Sequence, residues 1–461
     1  MTTASLVLPT DILTDLRTAA LNELETAGVL LCGSSRMEDG MRLLGRELRL
    51  LSDDDYDERR RDRLTIPSRA YVPVLSRAAE IGATALFLHT HPTSVADPIP
   101  SEWDDKVDEH LLETFRVRTG SDIYASMVIS PTDLSIAFTS RGMDGDTPFE
   151  IGELFVAGDR LALLPSYTAR VDQQVEPMFD RQVRAFGHRI QGALGRLRVG
   201  IVGCGGTGSA VAEQLVRLGV RSLVVIDDDY VDSTNVTRLY GSTPKDAGKP
   251  KVTVLADHLL SIAPVAEVMP VQKLVLDEAA ARSLTSCHVV FGCTDDNAGR
   301  LVLTRLAAYY LIPYIDCGVL ISSRDGVING IHGRVTVQTP GAACLVCRSR
   351  IDISRAAAEQ LPASERVERQ REGYAPELGQ EEPAVVAFTN AVASQAVTEL
   401  LERFIGFGGD PVPTEVLLRF HDRETSGNRE DPRRGHYCHP GSGALGSGDV
   451  DPFLGQLWKA S

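Results

Sequence analysis

Two stretches of this 461-residue chain carry side chains suited to catalysis. The first, ALFLHTHPTSVADPIPSEWDD, runs from Ala85 to Asp105. Its apolar start reads as a strand, and strand side chains alternate with period two, so His89 and His91 point the same way. Ser101 and Asp104 follow one helical turn apart. Two imidazoles and a carboxylate are three ligands of a tetrahedral zinc, leaving one position for water. Zinc brings the pKa of that water to about 7. Glu25, just ahead of a Gly-Val-Leu-Leu run, supplies a carboxylate to take its proton and pass it to a leaving amine. Ser101 supplies an oxyanion donor, a contact worth about 3–4 kcal/mol in a transition state.

The second stretch, Leu197 to Arg238, reads LRVGIVGCGGTGSAVAEQLVRLGVRSLVVIDDDYVDSTNVTR. A short apolar run, Val199 to Val202, precedes Gly203, Gly205, Gly206 and Gly208, and a helix of small residues begins at Ser209. The glycines let the backbone approach phosphates at a helix N-terminus. A second apolar run, Leu223 to Ile226, ends in Asp227, where a ribose hydroxyl would be held. Beyond it come Asn235, Arg238 and Lys251. A nicotinamide enzyme has no need of such a cluster. A triphosphate does, because its charge must be offset before a carboxylate can attack the α-phosphorus. Asp295, in GCTDDN at the end of a further strand, suits Mg²⁺ beside the phosphates.

The elements that must position these residues are legible in outline. Residues 11–24 put Ile12, Leu13, Leu16, Ala20, Leu21 and Leu24 on one helical face, with Asp11 as a cap. Strand-like runs recur near 43–49, 85–89, 122–129 and 133–138. Residues 141–165 mix Gly, Asp and Pro with a short apolar stretch and connect two domains. Residues 172–197 read as a helical lead-in carrying Arg181. A helix runs on to Ala263, strands follow near Val268, at 288–291 and at 327–338, and a helix with an apolar stripe covers about 385–404. Four segments result: 1–150, a linker over 151–171, 172–425, and a Gly-, Asp- and Arg-rich tail over 426–461, expected to be poorly ordered in part.

Composition narrows the class. The formal net charge of −16 argues against a nucleic-acid surface and against anionic membranes. No window of about 18 apolar residues suggests a membrane span. The N-terminus lacks the basic region and apolar core of a signal peptide. Eight cysteines, several inside apolar strands, read as reduced thiols of a cytoplasmic protein.

The HTHP and PSEWD motifs, with Glu25 upstream, resemble the JAMM (JAB/MPN-type) zinc isopeptidase family over roughly residues 1–150. The nine residues between His91 and Ser101 make a longer spacer than that family's usual one. The resemblance implies that His89, His91 and Asp104 bind Zn²⁺, that Glu25 is the general base and that Ser101 stabilises the oxyanion.

GCGGTG, DDDYVDSTNVTR, GKPK and CTDDN together resemble the ThiF/MoeB/HesA adenylating family, which shares the catalytic fold of ubiquitin-activating enzymes. This second resemblance covers about 172–425. It implies that Gly203, Gly205, Gly206 and Gly208 cradle the phosphates of ATP, and that Asp227 holds the ribose. Asn235, Arg238 and Lys251 would contact the triphosphate, with Asp295 on magnesium. Arg181 matches an arginine that acts across a dimer interface, which implies a homodimer. The fold class is therefore α/β: a JAMM-type α/β domain followed by a Rossmann-like ThiF-type adenylation domain.

Cys344 and Cys347 form a Cys-x-x-Cys where the second family often has a structural zinc, completed by another Cys-x-x-Cys near the C-terminus. Here that region offers only His436, Cys438 and His439, so either a mixed site with one histidine or no zinc is expected. The loop over 351–383, where thioester-forming members carry a cysteine, contains none. Cys204, Cys287, Cys293 and Cys317 read as packing residues. Adenylation without an on-chain thioester is thus expected, with Cys344 or Cys347 as the remaining candidates.

The joint expectation is an enzyme with two activities on a ubiquitin-like or sulfur-carrier protein ending in Gly. One part adenylates the terminal glycine; the other hydrolyses the amide beyond it, with a conjugating enzyme as a further possible partner. Bacterial operons that attach ubiquitin-like proteins, antiphage systems among them, use this pair of domains. Adenylation of a small peptide, one part acting only as a docking module, and a nicotinamide-dependent oxidoreductase stay open as alternatives.

Overall fold

The computed structural model describes residues 2–37, 40–169, 175–361, 365 and 383–458. The chain divides into two compact units. The first comprises Met1–Asp172, Tyr309–Leu311 and Gly443–Val450; the second comprises Gln173–Ala308, Ile312–Ser442 and Asp451–Ser461. No helix among the described residues is long and apolar enough to cross a membrane.

The first unit opens with β1 (Thr2–Pro9), α1 (Thr10–Ala20), β2 (Ala27–Met37) and β3 (Gly40–Leu50). A small hairpin of β4 (Glu58–Arg59) and β5 (Leu64–Thr65) leads to α2 (Ser68–Glu80), β6 (Thr84–Thr90) and α3 (Glu102–Thr119). Then come β7 (Ile123–Pro131), β8 (Ile136–Asp144), β9 (Thr147–Ala157) and β10 (Ala162–Pro165). Leaving out the small hairpin, the strands form one sheet in the order β1-β3-β2-β6-β7-β8-β9-β10, and β1 also pairs with β9. The sheet therefore closes into a barrel-like ring, which gives the backbone groups of β1 partners on both sides. The sequence reading of an α/β domain here did not include that closure.

Side-chain alternation sorts the strands onto two cores. Leu30, Cys32, Leu86 and Leu88 pack with Ile12, Leu16 and Ala20 of α1. Val29, Leu31, Ala85 and Phe87 pack with Tyr71 and Leu75 of α2 and with Leu111 and Phe115 of α3. Continued past Phe87, the same alternation brings His89 onto the side that α3 covers. Two boundaries differ from expectation. Asp11 lies in the first turn of α1 and does not cap it; Pro9 stands at the cap with no side-chain bond. Residues 151–165, assigned to a linker, complete β9 and form β10, because Ile151, Leu154, Phe155 and Val156 are buried in the first unit.

The second unit contains α4 (Asp180–Arg196), β11 (Arg198–Val202), α5 (Gly206–Arg217), β12 (Ser222–Ile226) and α6 (Lys251–Ile262). It continues through β13 (Glu267–Val271), α7 (Glu278–Ser283), β14 (Val289–Gly292), α8 (Asn297–Tyr310), β15 (Tyr314–Arg324) and β16 (Val327–Gln338). α9 (Ile353–Glu359), α10 (Val386–Ile405), β17 (Glu415–Arg419) and β18 (Glu424–Asn428) close the series. The sheet order is β13-β12-β11-β14-β15-β16-β17-β18. Its first five strands are parallel and its last three join antiparallel. The parallel centre is buried on both faces, hence the unbroken apolar runs of β11, β12 and β14.

Here too the boundaries shift. α5 starts at Gly206, ahead of Ser209. α4 is broken at Gly187, whose φ of 83° lies in the left-handed region. The loop assigned to 351–383 holds α9, and its residues 362–364 and 366–382 lie outside the described residues. The tail assigned to 426–461 is structured over much of its length: it finishes β18, and Gly443–Val450 belongs to the first unit. There the Arg36 N–H donates to Asp449 Oδ2 at 2.9 Å.

Candidate functional site

β11 lies between β12 and β14, so strand order reverses there and a crevice opens beyond the carboxyl ends of the strands. The glycine turn is shaped by close approaches. Gly203 has φ 90°, and a Cβ on it would meet the Cys293 carbonyl oxygen at 2.6 Å. A Cβ on Gly208 would meet the Gly203 carbonyl oxygen at 1.8 Å. Gly206 lies under the Arg238 side chain, whose carbons stand 3.2–3.3 Å from where its Cβ would be, whereas a Cβ on Gly205 would enter open space. These contacts hold the N-terminus of α5 bare toward the crevice, as an anion site requires.

Asp227 closes the turn from the β12 side. Its Oδ2 accepts the Cys204 N–H at 2.6 Å and its Oδ1 the Asp229 N–H at 2.8 Å. Burial pushes this carboxyl up, against the pull of Lys251. Lys251, the first residue of α6, donates from Nζ to Asp229 Oδ2 at 2.6 Å. Burial works against its charge, but Asp227 and Asp229 hold the ammonium above its ordinary pKa. Arg238 Nη1 donates to the Thr234 carbonyl at 3.0 Å, and Asn235 Oδ1 accepts the Asp232 N–H at 3.1 Å. The glycine turn, Asp227, Arg238 and Lys251 thus converge, and Asn235 braces the turn that presents Arg238. Asp295 is exposed just past β14, and Arg181 is exposed in the first turn of α4.

Two features here escaped the sequence reading. Asp229 is the partner of Lys251, and within a run of three aspartates nothing singled it out. The other is a buried ion cluster under the Asp295 loop. Asp316 is 0% exposed. It accepts from Arg300 Nε at 3.2 Å, Tyr314 Oη at 2.8 Å and Arg334 Nη2 at 2.5 Å. The Arg300 Nη1 also reaches the Asp295 carbonyl at 3.5 Å. Arg300 and Arg334 are only 15% and 18% exposed. Asp316→Ala would leave two guanidinium groups without their carboxylate, a loss of about 3–5 kcal/mol for a buried ion pair. Urea unfolding should show that drop.

In the first unit the strand register does the positioning. Ala27 pairs with His89, which sets Glu25, two residues before Ala27, beside His91. His89 Nε2 lies 3.1 Å from His91 Nε2 and 3.2 Å from Asp104 Oδ1. His91 Nε2 lies 3.8 Å from Asp104 Oδ2 and 3.9 Å from Glu25 Oε1. One ligand atom each from His89, His91 and Asp104 falls within 4.8 Å of the others, a spacing and donor set that fit zinc. Burial raises Glu25 to about 7, with His89 pulling the other way. Burial and His89 together lower His91. Asp104 is driven up by burial but ends well below the usual carboxylate range, held there by His89 and by bonds from Ser101. Ser101 is the N-cap of α3, and its hydroxyl donates to Asp104 Oδ2 at 2.8 Å.

A third cluster joins Cys344, Cys347, His436 and Cys438, again with ligand atoms within 4.8 Å of one another. His436 Nδ1 lies 3.5 Å from Cys344 Sγ and 3.2 Å from Cys438 Sγ, and Cys347 Sγ lies 3.7 Å from Cys438 Sγ. The hydrogen bond with Cys438 holds the Cys344 thiol down at about 5, which suits a thiolate ligand. Of the two histidines that the sequence offered for a mixed site, His436 and His439, it is His436 that joins the three cysteines.

Comparison with known proteins places the second unit. The molybdopterin-synthase adenylyltransferase of Escherichia coli K12 is 31% identical over 187 residues, 40% of this chain and 72% of the relative. The SAMP-activating enzyme E1 of Haloferax volcanii is 29% identical over 157 residues, 34% of this chain and 55% of its own length. Among solved structures, Escherichia coli MccB with ATP aligns at a TM-score of 0.45 and 17% identity, covering 57% of this chain and 74% of that one. A model of the ThiF family matches residues 179–438. That match takes in the glycine turn, Asp227, Lys251 and Asp295, and the chain belongs to the ThiF family.

Proposed function

We propose that the second unit uses ATP to adenylate the C-terminal glycine of a ubiquitin-like or sulfur-carrier protein, and that the first unit hydrolyses the amide bond after that glycine. The observation that carries the first half is the Lys251 ammonium, buried between Asp227 and Asp229 beside a glycine turn. On binding, the triphosphate takes Lys251 from Asp229, and the bare N–H groups at the start of α5 receive phosphate oxygens. A glycine carboxylate oxygen then bonds to the α-phosphorus as its bond to the pyrophosphate oxygen breaks. Lys251 and Arg238 offset the charge that builds on the leaving pyrophosphate. Asp295 would hold magnesium, which would supply further positive charge to the phosphates. Arg181 would act from a second copy of the chain, making the working form a homodimer. Carrier-dependent ATP–pyrophosphate exchange tests the reading; binding of NAD without binding of ATP would overturn it.

The hydrolytic half rests on the convergence of His89, His91 and Asp104 with Glu25 beside them, the arrangement of a JAMM-type centre. Zinc on those three residues supplies Lewis acidity that makes water acidic near pH 7. Glu25, already raised to about 7 by burial, takes a proton from the attacking water and returns it to the leaving amine. Both activities would then act on one C-terminal tail, before and after its amide bond exists.

The cysteine cluster fits a second, structural zinc held by Cys344, Cys347, Cys438 and His436. Chelation should lower the unfolding temperature, since a metal bound to the folded state alone stabilises it. Metal analysis of His436→Ala should show one zinc fewer than the parent, and His436→Cys should restore it.

A further inference from the structure

Resting on the proposed nucleotide site, we infer that Cys293 and Cys317 form a modification site, a thiol pair that a peroxide closes into a reversible disulfide beside the glycine turn. Strand register brings the two together. β14 and β15 run parallel, with Gly292 opposite Asp316. One step further along both chains stand Cys293 and Cys317. Cys293 is still tied to the sheet there, because its N–H donates to the Val202 carbonyl at 2.7 Å. Side chains at matching positions of neighbouring strands share a face. Such strands lie about 4.7–4.9 Å apart, inside the Cα separation of about 4.4–6.8 Å that a disulfide spans. The two side chains are hydrogen-bonded to each other, and both are free thiols.

The pair also touches the nucleotide turn. The Cys293 carbonyl oxygen lies 2.6 Å from where a Cβ on Gly203 would be, and its Cβ lies 3.3 Å from where one on Gly208 would be. Thr294 and Asp295 follow directly. Cys293 thus joins the glycine turn to the carboxylate proposed for magnesium. The two sulfurs differ in access. Cys293 is half-buried, whereas Cys317 is 4% exposed, so an oxidant from solvent meets Cys293 first. Its thiol gives two electrons to hydrogen peroxide and becomes a sulfenic acid, with one water released. The Cys317 sulfur then bonds to the Cys293 sulfur as the S–O bond breaks, and the hydroxide leaves with the Cys317 proton as a second water. Two thiols are oxidised and one peroxide is reduced to two waters. The new bond holds the sulfurs about 2.05 Å apart, which draws Cys293 toward β15 and disturbs the turn that it packs against.

The test uses the full-length protein, with ATP alone as the ligand. Reduced protein is treated with hydrogen peroxide, alkylated and digested for mass spectrometry, and ATP binding is measured by calorimetry before treatment, after it, and after dithiothreitol. The expected result is a Cys293–Cys317 cross-linked peptide and ATP binding about tenfold weaker or more, the worth of one hydrogen bond to a charged phosphate, with recovery on reduction. Cys317→Ala and Cys317→Ser should bind ATP like the reduced parent and keep that affinity after peroxide. If the reduced parent binds no ATP, the nucleotide site itself is wrong and this inference falls with it. If the reduced parent binds ATP but peroxide yields no such link, or the linked protein binds ATP equally tightly, the site stands and the thiol pair is refuted. A loss of binding that persists in both Cys317 variants would refute it too, by assigning the loss to other thiols.

Discussion

Lys251→Ala should lower carrier-dependent ATP–pyrophosphate exchange by about 10²–10³-fold, the loss that follows removal of one preorganised charge from a transition state. The size follows from burial. Lys251 is 9% exposed, and its ammonium sits 2.6 Å from Asp229 with Asp227 close by. Lys251 itself is buried although the Asp229 side chain is 64% exposed, so its charge acts at an effective dielectric below that of water. Truncation also leaves Asp227 and Asp229 facing an anionic triphosphate with no cation between them, so nucleotide affinity should fall along with the rate. Lys251→Arg should recover little, because a planar fork does not replace a compact point charge at this spacing. Exchange within a few-fold of the parent in Lys251→Ala would put the triphosphate somewhere other than the glycine turn.

Glu25→Gln should lower hydrolysis of a carrier–amide bond by about 10²–10⁴-fold, the usual worth of a positioned general base. Glutamine keeps the shape and cannot accept the proton. Glu25 is 7% exposed and 3.9 Å from His91, near enough to serve a water at the metal without itself belonging to the three-residue ligand set. The zinc content of Glu25→Gln should therefore equal that of the parent, whereas His89→Ala should lose both the metal and hydrolysis. A Glu25→Gln protein that hydrolyses at the parental rate would move the base elsewhere. Glu23, paired at the surface with Arg61, lacks the burial and the proximity to take its place.

Much of the site was legible in one dimension because its parts are local. Gly203 to Gly208, Asp227 and the two histidines sit at strand ends, where a period-two pattern and a turn already say which way a side chain points. Spacing alone put Ser101 and Asp104 on one turn of a helix. It did not show that the hydroxyl would bond to the carboxylate, since a capping box and an oxyanion donor look alike in sequence. The linker was misjudged for a related reason. Glycine and proline content marks turns, but Ile151, Leu154 and Phe155 decide by burial that the segment belongs to a sheet.

The amino-acid sequence by itself determined the glycine turn with its acidic and basic companions, the ThiF family that they point to, and the His-x-His pair, because each depends on backbone periodicity over short spans. Only the tertiary structure decided that β1 and β9 meet to close a ring, that His436 joins Cys344, 92 residues away, in one ligand set, and that Asp316 carries two arginines under the Asp295 loop. Those outcomes hinge on contacts between residues distant in the chain, where packing and desolvation select one partner among many and no local pattern records the choice.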